Sequence, residues 1–88
     1  MKKDESSIEW FDLWFEDKKS MIDTMTRNIA SDLNAGYKFH GESIQKQIRE
    51  LNEYKAQFDS EMDLFKNMEY GQVNRWCFFD MKKRGVIS

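Results

Sequence analysis

Apolar side chains recur at helical spacing along two stretches, with only the short segment AGYKFHG, residues 35–41, between them. The first stretch reads Ile8, Phe11, Phe15, Ile22, Met25, Ile29 and Leu33, and the second Ile44, Ile48, Leu51, Phe58, Met62 and Phe65. Steps of three, four or seven residues put each set on one side of an α-helix, whereas a half-buried strand would need alternation. A connection this short makes the two helices antiparallel neighbours. There is no proline, so Gly36, Gly41, Gly71 and Gly85 are the main breaks in the pattern.

The spacing predicts a helix over about 7–34, opened by a capping box of Ser6 and Glu9. A second is predicted over about 42–70, with Glu42 at the positive end of its dipole and Gly71 as its stop. A third is predicted over about 73–84, where Lys82, Lys83 and Arg84 suit the negative end and Gly85 supplies a left-handed stop. The expected fold class is all-α: an antiparallel, coiled-coil-like hairpin of two long helices with a short third C-terminal helix packed on the open end. All of it belongs to a single helical domain, 1–88. Pairing the stripes sets Leu33 and Ile29 near Ile44 and Ile48, Met25 on Leu51, and Phe11 and Phe15 on Met62 and Phe65. Lys18 and Lys55 then fall in the seam and are expected to snorkel outward. A slip of register would turn Tyr54 rather than Lys55 toward the first helix.

Folding the hairpin this way gathers Trp10, Phe11, Trp14, Phe15, Phe65, Tyr70, Trp76, Phe78 and Phe79 at one end. Aromatics make up 15% of the chain, which is a heavy load for 88 residues. A chain of this size buries only about 60–65% of its unfolded surface. Two readings of the cluster stand: it is the core of a three-helix body, or part of it is an interface for a protein partner or a second copy of the chain. Trp10, Trp14, Trp76, Phe78 and Phe79 are the candidate partner-binding residues, because Trp and other large aromatics anchor such faces. Trp10 and Trp14 stand out, since they lie beside the main stripe rather than on it.

The net charge is −2, so no overall basic field points to nucleic acid. The positive residues do concentrate near the C-terminus, where Arg75, Lys82, Lys83 and Arg84 face a single acid, Asp80. Beside aromatics they are candidate nucleic-acid contacts, but the stronger reading of Lys82, Lys83 and Arg84 is that they complement a helix C-terminus and stay solvated. Catalytic signals are sparse. The one histidine, His40, sits in the interhelical loop without a neighbouring nucleophile, and the one cysteine, Cys77, lies between Trp76 and Phe78 as a small buried hydrophobe would. No Glu-x-x-His pair, H-E-x-x-H or glycine-rich phosphate loop occurs. Neither a metal nor a cofactor is therefore expected, and no enzymatic activity.

No stretch is apolar for long enough to span a membrane, and acidic residues break up the N-terminal apolar positions, so the expected compartment is the cytoplasm with Cys77 as a free thiol. The expected function is a non-catalytic protein-interaction module: a small inhibitor, adaptor or regulatory subunit docking on a larger protein, with homodimerisation. Two alternatives remain open: a small nucleic-acid-binding protein using the C-terminal helix, and a phage- or plasmid-type inhibitor of a host or defence protein.

Overall fold

The computed structural model describes residues 9–87. Among them the chain forms α1 (Trp10–Asn34), α2 (Glu42–Phe65) and α3 (Tyr70–Lys83), with no strand. Ser6 and the residues predicted to open the first helix at 7 and 8 lie outside the described residues. Glu9 is the N-cap residue of α1, and its carboxylate accepts a hydrogen bond from the Tyr70 hydroxyl.

The first turn of the chain is fixed by glycine. Gly36 has φ +105°, and the Tyr37 N–H reaches Asp32 O at 3.0 Å while the Gly36 N–H reaches Leu33 O at 3.1 Å. This pair of bonds satisfies carbonyls that the helix end would otherwise leave open, and it needs a residue at ease with positive φ. Gly85, at φ +78°, ends α3 in the same way, with the Val86 N–H on Met81 O at 2.9 Å.

The boundary between the second and third helices differs from the sequence expectation. α2 stops at Phe65 rather than near residue 70, and α3 begins at Tyr70 rather than 73. Lys66, Asn67 and Met68 each bond back three residues, which tightens the chain into a turn. Glu69 is then extended, with ψ 154°, and its N–H donates to the Gln72 side-chain carbonyl at 3.0 Å. Such a return from the third helical residue starts a helix at this point. Gly71 consequently lies in the first turn of α3, where a Cβ would meet nothing within 4 Å, so it is no breaker.

The antiparallel hairpin is confirmed by pairs that run in opposite senses along α1 and α2: Lys18 with Glu61, and Asp32 with Gln47. α3 doubles back from the end of α2 and runs parallel to the first half of α1. Its contacts advance together along both helices, from Asn74 on the Phe11 N–H (2.8 Å), through Asp80 on the Trp14 indole (3.0 Å), to Arg84 on Asp17 (3.0 Å). The molecule is thus three helices thick at one end and two at the other, with extents of 54 × 26 × 19 Å. Its radius of gyration, 16.5 Å, exceeds the roughly 12 Å of a compact chain this long.

The core sits in the thick end: Trp14, Phe65, Val73, Cys77 and Met81 are buried, with Phe11, Phe15, Phe58 and Trp76 packed around them. In the thin end only Ile44 is fully buried, while Ile22, Met25, Ile29, Leu33, Ile48 and Leu51 are half-buried.

The two seam lysines also depart from expectation. Lys55 is exposed, and Tyr54 takes the inward place. Lys18 does not snorkel; it is buried, with its Nζ 3.2 Å from Glu61 Oε1 and over the rings of Trp14 and Tyr54 at 5.5 and 5.1 Å. Glu61 is buried as well. Its Oε2 accepts from Gln57 at 3.2 Å, whereas Oε1 makes no aligned hydrogen bond and is balanced by the lysine charge alone. The reason is geometric: α3 lies over this side of the hairpin, so a side chain there meets a carboxylate before it reaches water.

Removing one member of this pair leaves a buried charge without its counter-charge. Lys18→Ala is expected to lower unfolding free energy by about 3–5 kcal/mol, whereas Lys18→Met combined with Glu61→Leu should be close to neutral. Urea unfolding of both variants checks this, and equal losses in the two would show that shape rather than charge pairing decides.

Candidate interaction surface

The side of α3 that faces the hairpin is set by Val73, Cys77 and Met81, one turn apart and all buried. On this face Trp14 is the point at which the three helices meet. It is 0% exposed, stacks on Phe58 at 5.6 Å, meets Phe65 and Trp76 edge-on at 5.1 and 6.0 Å, and donates its indole N–H to Asp80. Asp80 also accepts from Arg84 Nε at 3.0 Å, and Arg84 Nη1 reaches Asp17 at the same distance. Burial works against the Arg84 charge, but the hydrogen bonds with Asp17 and Asp80 outweigh it and raise the pKa.

The five candidate partner-binding residues are therefore split. Trp14 is a core residue, which corrects its reading as an interface residue: its place beside the stripe faces α3 rather than solvent. Trp76 is half-buried, with its ring 5.1 Å from Phe65. Trp10 and Phe78 are half-buried and pack on each other at 4.8 Å, at the outer edge of the α1–α3 contact. Phe79 is 59% exposed beside Phe78, with ring centroids 5.3 Å apart. A shallow depression of about 250 Å³ lies between Trp76, Phe79, Asp80 and Lys83.

The four basic candidates are split as well. Arg84 is held by two carboxylates and acts as a latch between α3 and α1. Arg75, Lys82 and Lys83 are exposed, and the Lys82 ammonium sits 5.7 Å over the Phe78 ring.

Other apolar residues at this end are exposed as well. Leu13 is 49% exposed one turn from Trp10, and Val86 lies exposed just past α3. A separate apolar cleft of about 320 Å³ at the α2–α3 turn is lined by Phe11, Met62, Phe65, Met68, Tyr70 and Val73. No family model matches the chain, and neither does any curated protein or solved structure.

Burial pushes the Cys77 thiol up to about 12, so it is no nucleophile near neutral pH. The hydrogen bond to Glu9 raises Tyr70 to about 12. Among the described residues no group of three or more His, Cys, Asp or Glu side chains is placed to hold a metal ion, and no helix is long and apolar enough to cross a membrane.

Two outcomes follow. Trp14→Ala should lower unfolding free energy by about 3–5 kcal/mol, as truncation of a core aromatic does, and thermal or urea unfolding reads it directly. The second concerns pH. Cys77 has its folded pKa raised above the ordinary value of 9.0, so its contribution to stability is complete below pH 9 and is lost as pH climbs toward about 12. Cys77→Ala removes that titration. Its stability should fall less steeply than the wild type's over this window, and parallel slopes would place the titration elsewhere.

Proposed function

We propose that this chain is a non-catalytic protein-interaction module, a small inhibitor, adaptor or regulatory subunit. On this reading it docks on a larger protein through the aromatic edge of its three-helix end. The observation that carries it is the placement of Trp10, Phe78 and Phe79. They form a continuous aromatic surface, with Leu13 exposed one turn from Trp10, on top of a rigid core that buries Trp14 and Cys77 completely. Trp10 and Phe78, half-buried and packed on each other, have less rotamer freedom to lose on docking, and large aromatics of this kind serve as anchors. The surrounding lysines supply the polar rim. A cytoplasmic location accords with this reading, since it asks nothing of the single cysteine.

Nucleic acid is the second partner class, favoured by Arg75, Lys82 and Lys83 standing exposed around Phe79. It is the weaker of the two. Arg84 is already paired with Asp17 and Asp80, which leaves three positive charges for a phosphate backbone and a shallow electrostatic attraction.

The test is a comparison of variants in capture from native cell extract, with circular dichroism as the fold control. One protein should be enriched by the wild type, lost with Phe78→Ser, and retained with Lys82→Gln and Lys83→Gln together. Salt-sensitive binding to duplex or single-stranded nucleic acid that disappears in the lysine variant, with no captured protein, would reverse the order of the two readings.

A further inference from the structure

The groove that α3 occupies does not end where α3 ends. Among the α1 residues that meet α3 are Trp10, Trp14 and Asp17, and the same row continues at helical spacing through Met21, Met25, Asn28 and Asp32. On α2 the corresponding row runs from Phe65 and Glu61 on to Tyr54, Glu50 and Gln47. The two rows meet across the hairpin, because Gln47 Nε2 donates to Asp32 Oδ2 at 2.8 Å. α3 stops at Lys83, and Arg84 is latched to Asp17, so no helix lies on the hairpin past this level, although the Tyr54 hydroxyl is buried and Ile87 packs back on the core. Met21 is 44% exposed there, Met25 and Tyr54 are half-buried, and Glu50 is exposed.

The outer side of α3 carries the row Arg75, Phe79 and Lys82, all exposed, with Lys83 beside it. Asp80, the one carboxylate of α3, is turned inward onto Trp14 and Arg84. This face is therefore positive and apolar with no acid. The open rows of the hairpin carry Asp32 and Glu50 among methionines and amides, with no Lys or Arg. Charge and polarity complement each other, and so does length. α3 is about 21 Å long, and α1 past Asp17 runs about 25 Å.

We infer that the chain forms an antiparallel homodimer in which each copy's α3 fills the open acidic groove of the other copy's hairpin. A two-fold axis across the groove, at the level where α3 ends, turns the thick end of one copy onto the thin end of its partner. The two α3 helices then lie end to end between two hairpins, each with its buried row on its own chain and its outer row on the other. The contact is made twice and closes, so it stops at two copies. The flip brings the first half of α3 over the turn-proximal end of the partner's hairpin. That places Arg75 beside Asp32 of the partner subunit, with Phe79 nearer Met25 and Glu50 of the partner subunit. The inference rests on the interaction-module reading. It assigns Phe79 and its row to self-association and leaves the Trp10–Phe78 edge, with Leu13, to the larger partner.

Sedimentation equilibrium of the pure protein at micromolar concentration tests the dimer separately from capture of any other protein. The wild type should be dimeric. Phe79→Ser should weaken association about tenfold or more, as loss of a central aromatic anchor does, with helix content unchanged because Phe79 touches little of its own core. Arg75→Glu and Asp32→Arg should each shift the protein toward monomer, and the two combined should restore the dimer. Phe78→Ser should leave the dimer in place while losing the captured partner, which separates the two readings. A wild type that stays monomeric overturns the proposal, and so does a dimer indifferent to Phe79→Ser and to the charge reversals.

Discussion

The indole of Trp14 is the part on which the remaining structure depends. Its ring fills the space where three helices meet, and its N–H fixes the position of Asp80 on α3. Asp80 in turn orients Arg84, and Arg84 reaches Asp17 on α1, one turn from where the indole began. One apolar residue with a single donor thereby couples core packing to a charged latch. A phenylalanine at this position would fill much of the volume and leave Asp80 without its neutral partner. The aromatic surface above the core inherits its rigidity from this arrangement, since Phe78 and Phe79 sit on the same helix that Asp80 and Arg84 hold in place.

The buried Lys18–Glu61 pair plays a different part. Taking two charges out of water carries a desolvation penalty that their attraction repays only in part, so the pair is a weak source of net stability. Its value lies in selection of register. In any hairpin alignment shifted by one turn, Lys18 and Glu61 would each enter the seam without a counter-charge. The neighbouring Tyr54 hydroxyl, buried and without a hydrogen-bond partner, shows how tightly this layer is closed around the ion pair.

Much of this was legible from the residue order. The two stripes, the glycine turn at Gly36 and the stop at Gly85 each follow from local rules, and the structure contains all of them. What the residue order concealed were effects of the third helix. Trp14 looked peripheral and Lys18 looked free to snorkel, because a single stripe presumes a single neighbour, whereas the first half of α1 has two. Glu61 lies among polar positions of α2, and nothing local marks it as the partner of a lysine on another helix. The break after Phe65 did have a signal, the Glu69 and Gln72 pair, which the more conspicuous Gly71 obscured. The aromatics were expected at one end of the hairpin and do gather there, but their division into core and exposed residues needed the position of α3. Phe79 and Trp14 are both large aromatics in the same cluster, and only the packing tells them apart.

The contacts of the two ends differ in how much chain they close. Gln47 and Asp32, near the hairpin turn, are 15 positions apart, while α3 meets α1 through pairs separated by 63, 66 and 67. Closing a longer loop costs more chain entropy before any contact repays it. The hairpin tip is accordingly the least expensive part to assemble and has the fewest buried side chains to hold it. The aromatic end cannot close until the residues of α3 have been made. During synthesis the first two helices therefore emerge with the α3-facing side of Trp14 and Phe65 uncovered. They stay so until the residues after Tyr70 arrive, and over that interval the chain presents its stickiest surface to whatever is nearby.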